Sequence, residues 1–141
     1  MLIFLVGYMG AGKSSLGSSL AKALNYQFVD TDVWIESRCC KTIPAIFEEF
    51  GESFFREKEK DCIEFLVDKD NYVIATGGGL PCHNDLMDLM NELGTTIFLE
   101  ASVSSLSSRL VNEIENRPLL KETKSLTELN PISSANTLYF F

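Results

Sequence analysis

The sequence predicts a three-layer α/β/α domain built around a parallel sheet, and three observations carry that expectation. Short apolar runs rich in β-branched and aromatic residues stand at 2–6, 27–29, 72–75 and 96–99. They lack polar alternation, as expected of strands covered on both faces. Stretches of helical period separate them, and strand–helix alternation of this kind folds into a parallel sheet with helices on both faces.

The elements follow in order. After the first run, Leu16, Leu20 and Leu24 recur every four residues and mark a helix. The second run leads into a helix from Val33, with Thr31 or Asp32 as its cap. Thr42 is placed to cap the next helix, whose stripe is Ile43, Ile46, Phe47 and Phe50, with Gly51 just past its end. Phe55, Glu59, Cys62 and Leu66 share one face of a highly charged helix. After the third run, Asn84 precedes Leu86, Leu89, Met90 and Leu93, and Gly94 stops that helix. A last helical pattern, Val103, Leu106 and Leu110, follows Ser102.

The chain has 141 residues, room for one domain spanning 1–141. Its net charge of −8 disfavours nucleic acid and anionic membrane as partners, so any bound anion needs a local site. No apolar run approaches a membrane span, and the apolar start lacks the basic region of a signal peptide. The four cysteines (Cys39, Cys40, Cys62 and Cys82) show no C-x-x-C spacing. His83 is the sole histidine, which is poor material for zinc. Free thiols in a reducing cytoplasm are expected.

Chemistry gathers at five places. Gly7-Tyr-Met-Gly-Ala-Gly-Lys-Ser14 fits G-x-x-x-x-G-K-[ST], directly after a strand and opening a helix. Consecutive backbone N–H groups and the helix N-terminus there cradle phosphates. Lys13 offsets phosphate charge, and the Ser14 hydroxyl ligates Mg²⁺. Asp30 and Asp32 stand two apart at a strand's carboxyl end, where open α/β sheets bind ligands. One carboxylate can support the Mg²⁺ shell while the other takes a substrate hydroxyl, or Asp32 or Thr31 merely caps the helix from Val33.

Arg56, four residues after Glu52, is either a solvated helical pair or a bidentate clamp for carboxylate or phosphate. Gly77, Gly78 and Gly79 end a strand, either as a flexible connection or as backbone that a ligand approaches closely. Arg117-Pro118 lies in a loop able to swing over a nucleotide, whereas Arg109 on a helix face and Arg38 near Glu36 read as surface residues.

Together, Gly7–Ser14, Phe28-Val-Asp-Thr-Asp32, Gly51-Glu-Ser-Phe-Phe-Arg56, Ala75-Thr-Gly-Gly-Gly79 and Arg117-Pro-Leu-Leu120 resemble the shikimate kinase family. That family is a nucleoside-monophosphate-kinase-like group of phosphate-loop NTPases. The resemblance implies ATP-dependent phosphorylation of the 3-hydroxyl of shikimate, on the chorismate route to aromatic amino acids, in the cytoplasm. It implies that Gly10, Ala11, Gly12, Lys13, Ser14 and Ser15 bind the ATP phosphates, with Ser14 on Mg²⁺ and Asp30 in its outer shell. Asp32 would hold ring hydroxyls and position the nucleophilic one. Arg56 would pair with the substrate carboxylate, and the backbone of Gly77, Gly78 and Gly79 would line the same pocket. Arg117 is similar to the family's lid arginine, in a lid loop at about 112–124, and Arg109 to one near the adenine. Lys13, Asp32 and Arg117 are thus the expected catalytic set.

The tail, about 125–141, departs from the pattern: no arginine follows Arg117, and no fifth strand is evident. The expectations there are a divergent or truncated end, impaired activity, and a monomer unless an exposed sheet edge associates. The alternatives are a kinase of another small hydroxy-acid such as gluconate, and a non-catalytic nucleotide-binding remnant.

Overall fold

The computed structural model describes residues 1–100. The expected helix on Val103, Leu106 and Leu110, the lid loop, Arg109, Arg117 and the tail lie outside the described residues. Strands β1 (Leu2–Val6), β2 (Gln27–Asp30), β3 (Tyr72–Ala75) and β4 (Gly94–Phe98) form a sheet in the order β2-β3-β1-β4, all pairs parallel. Helices α1 (Lys13–Leu24), α2 (Thr31–Cys39), α3 (Ile43–Leu66) and α4 (Leu86–Leu93) complete it, with a 3-10 turn at Leu80–Cys82.

The pleat of β1 sorts the layers, because successive side chains point to opposite faces. Leu2, Phe4 and Val6 pack with Ile63, Leu66, Leu80, Leu86, Met87 and Met90, the layer of α3 and α4. Ile3 and Leu5 pack with Ala21, Leu20 and Phe28, the layer of α1. A third cluster, Ile35, Ile43, Ile46 and Phe55, joins α2 to α3.

The expectation of strands covered on both faces holds for β1 and β3. It fails for β2 and β4, which are the outer strands among the described residues: Gln27, Ile97 and Phe98 are exposed. The stripe Leu16, Leu20, Leu24 is not what α1 buries either. Leu16 and Leu24 are exposed, whereas Gly17 and Ala21 are buried. A Cβ at Gly17 would come within 2.6 Å of the Phe28 ring, so small residues let α1 lie close on the sheet.

Three boundaries also differ from expectation. Asp30, not Thr31 or Asp32, caps α2, its Oδ1 accepting from the N–H groups of Asp32 (3.0 Å) and Val33 (3.4 Å). Thr42 caps α3 as expected, but the helix passes through Gly51 at a kink with φ 81°, a backbone that glycine tolerates and most residues resist. Asp85 rather than Asn84 precedes α4.

Candidate active site

Parallel register brings the motifs to one edge. Leu5 and Asp30 both pair with Ala75, and Val6 pairs with Phe98, so the phosphate loop, the aspartate pair and the triple glycine all leave the carboxyl ends of adjacent strands. That edge, where the order turns from β3 to β1 and β4, is where open α/β sheets hold ligands.

Gly12, at φ 89°, turns the loop into α1 and leaves the helix N-terminal N–H groups facing the crevice. Lys13 is 7% exposed. Its Nζ donates to the carbonyls of Gly7 (2.7 Å) and Tyr8 (2.8 Å), so the ammonium is held inside the loop it serves. The Ser14 hydroxyl donates to Asp30 Oδ2, a short contact that brings the two expected Mg²⁺-site residues together. One hydroxyl and one carboxylate at the mouth of a phosphate loop fit a cation that takes its other ligands from phosphate and water.

Asp30 therefore serves twice, as helix cap and as partner of Ser14. Thr31 is fully buried, and its hydroxyl accepts from the Gly77 N–H at 2.8 Å, tying α2 to the triple glycine.

The triple glycine explains itself by contact. A Cβ at Gly77 would lie 2.9 Å from Glu59 Oε1 and 3.1 Å from Asp32 Oδ1. At Gly78 it would lie 3.0 Å from the Met9 backbone nitrogen in the phosphate loop. At Gly79 it would lie 3.0 Å from both terminal nitrogens of Arg56. Each glycine thus runs against a different neighbouring group of the protein, with no room for a side chain.

Arg56 is 9% exposed, which overturns the reading of a solvated surface residue. It keeps the helical pair with Glu52 and adds a bond from Nη1 to Glu59 Oε2 at 2.7 Å. Burial works to lower its pKa, but Glu59 and then Glu52 outweigh burial and raise it. Burial pushes the Glu59 carboxyl up to about 7, against the opposing pull of Arg56. Burial and then the Arg56 charge hold His83 below its ordinary value.

Glu59, which the sequence places on a helix face without a role, is the buried partner of Arg56. The signal was present. A carboxylate on the face of Phe55, Cys62 and Leu66, three residues after an arginine, needs that arginine once buried.

Among the described residues all four cysteines are free thiols; Cys62 is buried, and burial pushes its thiol up to about 12. Arg38 is exposed, as expected of a surface residue, and stacks 4.8 Å from the Trp34 ring. No described helix is long and apolar enough to cross a membrane.

A parallel sheet that carries a phosphate loop beside a glycine turn packed on a buried guanidinium and a carboxylate fits a phosphate-loop kinase, a phosphotransferase with ATP as co-substrate. The family model described as shikimate kinase matches residues 9–139, and the chain belongs to the shikimate kinase family. A shikimate kinase of Bacteroides fragilis is 47% identical over 122 residues, covering 86% of this chain and 68% of that protein. The structure of Acinetobacter baumannii shikimate kinase in complex with shikimate superposes with a TM-score of 0.88 at 34% identity, over 94% of this chain and 74% of that one. Shikimate kinase from Bacteroides thetaiotaomicron gives 0.83 at 42% identity, over 96% and 76%.

Proposed function

We propose that the chain transfers the γ-phosphoryl group of ATP to the 3-hydroxyl of shikimate, yielding shikimate 3-phosphate and ADP on the route to aromatic amino acids. The observation that carries this reading is the buried Arg56 guanidinium against Gly79, one residue from Gly78, which abuts the Met9 backbone of the phosphate loop. It suits a small acceptor bearing a carboxylate, and Asp32 beside Gly77 suits its hydroxyls.

In this reading the loop from Gly10 to Ser15 holds the ATP phosphates, and Lys13 balances their charge. Ser14 and Asp30 would hold Mg²⁺, which when bound neutralises phosphate charge. Arg56 fixes the acceptor through its carboxylate. Asp32 accepts from the reacting hydroxyl and aims it, while the backbone of Gly77, Gly78 and Gly79 lines the acceptor pocket. By the family resemblance, Arg109 would contribute near the adenine and Arg117 would neutralise charge on the transferring phosphoryl group. Catalysis is chiefly alignment and charge neutralisation, since phosphoryl transfer asks little covalent work of the protein. The proposed organisation is a single cytoplasmic domain over 1–141, with a lid at about 112–124 and a divergent tail at about 125–141, acting as a monomer.

The test is ADP release from Mg·ATP with shikimate, and in parallel with gluconate, as acceptor. Turnover dependent on shikimate is expected. Equal turnover with gluconate, or none with shikimate, would overturn the proposal.

A further inference from the structure

The Arg56 guanidinium is already taken on two sides. Glu52, one helical turn before it, accepts from Nε at 3.2 Å and Nη2 at 2.9 Å through a single oxygen, Oε1. Glu59, on the other side, accepts from Nη1 at 2.7 Å. These partners live in different surroundings: the side chain of Glu59 is 1% exposed and that of Glu52 is 52% exposed. The edge formed by Nε and Nη2 is one through which a guanidinium grips a carboxylate with two parallel bonds.

A ligand carboxylate arriving here meets an arginine whose charge is already matched twice. The outer edge is held by a group of the ligand's own chemistry. Two carboxylates on one edge repel, so one has to leave. Freeing Glu59 would strand a buried carboxyl group without its donor, which is costly. Freeing Glu52 breaks only a half-exposed helical pair and delivers its charge to water. The exposed partner is the exchangeable one.

We infer that Glu52 is a built-in stand-in for the acceptor's carboxylate: it occupies Arg56 in the empty site and is displaced into solvent when a carboxylate-bearing acceptor binds. Glu52 thereby sets acceptor affinity by competition, while Glu59 keeps the guanidinium in place throughout. The inference rests on the reading of Arg56 as the carboxylate clamp. It assigns Glu52 a negative effect on binding, the opposite of what a supporting residue would have.

The experiment is calorimetric titration of the full chain, Glu52→Gln and Arg56→Ala with shikimate, with its uncharged methyl ester, and with Mg·ATP. Glu52→Gln should bind shikimate about two- to fivefold tighter, the reach of an exposed ion pair removed as competitor. Its affinities for the ester and for Mg·ATP should not change, and in steady state KM for shikimate should fall with kcat unaltered. Unchanged or weaker shikimate binding in Glu52→Gln would overturn the inference, as would an equal gain for the ester. Arg56→Ala separates the two levels. If it loses shikimate while Glu52→Gln gains nothing, only the competition fails. If it retains shikimate, or if the unaltered chain binds none, the clamp itself fails and the inference falls with it.

Discussion

Replacing Glu59 with Gln isolates the proton this buried carboxyl holds. In the unfolded chain the group has its ordinary value of 4.5, whereas burial pushes it up to about 7 in the folded protein. Between those values the folded chain keeps a proton that the unfolded chain has released, so stability falls as pH rises across the window. The contribution is complete below about 4.5 and lost above about 7. At about 1.4 kcal/mol per pH decade, the full change comes to about 3 kcal/mol, with about 1 kcal/mol either way. Gln cannot release a proton, and its amide oxygen can still accept from Arg56 Nη1, as Glu59 Oε2 does at 2.7 Å. Denaturant unfolding of both proteins from pH 4.5 to 8.5 measures the effect. The stability of Glu59→Gln relative to the unaltered chain should climb by about 2–4 kcal/mol across that range. Curves that stay parallel would refute the reasoning, since other titrating groups cancel in the difference.

Other perturbations separate the two halves of the site. Gly77→Ala sets a methyl against Glu59 and Asp32, so acceptor affinity should fall while Mg·ATP affinity is kept. Gly78→Ala pushes on the Met9 backbone and should weaken Mg·ATP binding as well as acceptor binding, with overpacking costing each variant about 1–3 kcal/mol in denaturant unfolding. Identical binding profiles for these neighbouring variants would count against the phosphate-loop contact assigned to Gly78. Lys13→Ala removes the ammonium that bonds Gly7 and Tyr8, and should weaken Mg·ATP binding in calorimetry and abolish transfer. Unaltered turnover there would rule out the phosphate-loop role.

Much of this chain was legible in one dimension. The phosphate loop could be read because its chemistry is local: backbone N–H groups, a lysine and a hydroxyl lie within eight consecutive residues after a strand. Strands β1 and β3 could be read for a similar reason, since burial in a parallel sheet demands unbroken apolar runs. What the one-dimensional pattern left open, the tertiary structure decided. Asp30, Asp32, Arg56 and the three glycines each had a bland local reading as cap, surface pair or loop. Only the register that sets Leu5 and Asp30 beside Ala75 brings them to one crevice. Burial was the other missing quantity. Whether Glu59 is a solvated helical charge or a carboxylate with its pKa near 7 depends on what the sheet and α2 place over it, which neighbouring residues in sequence do not specify. Gly17 and Ala21, rather than Leu16 and Leu24, face the sheet for a related reason. Periodicity reports which side chains are apolar, but the distance between helix and sheet selects which are small enough to lie between them.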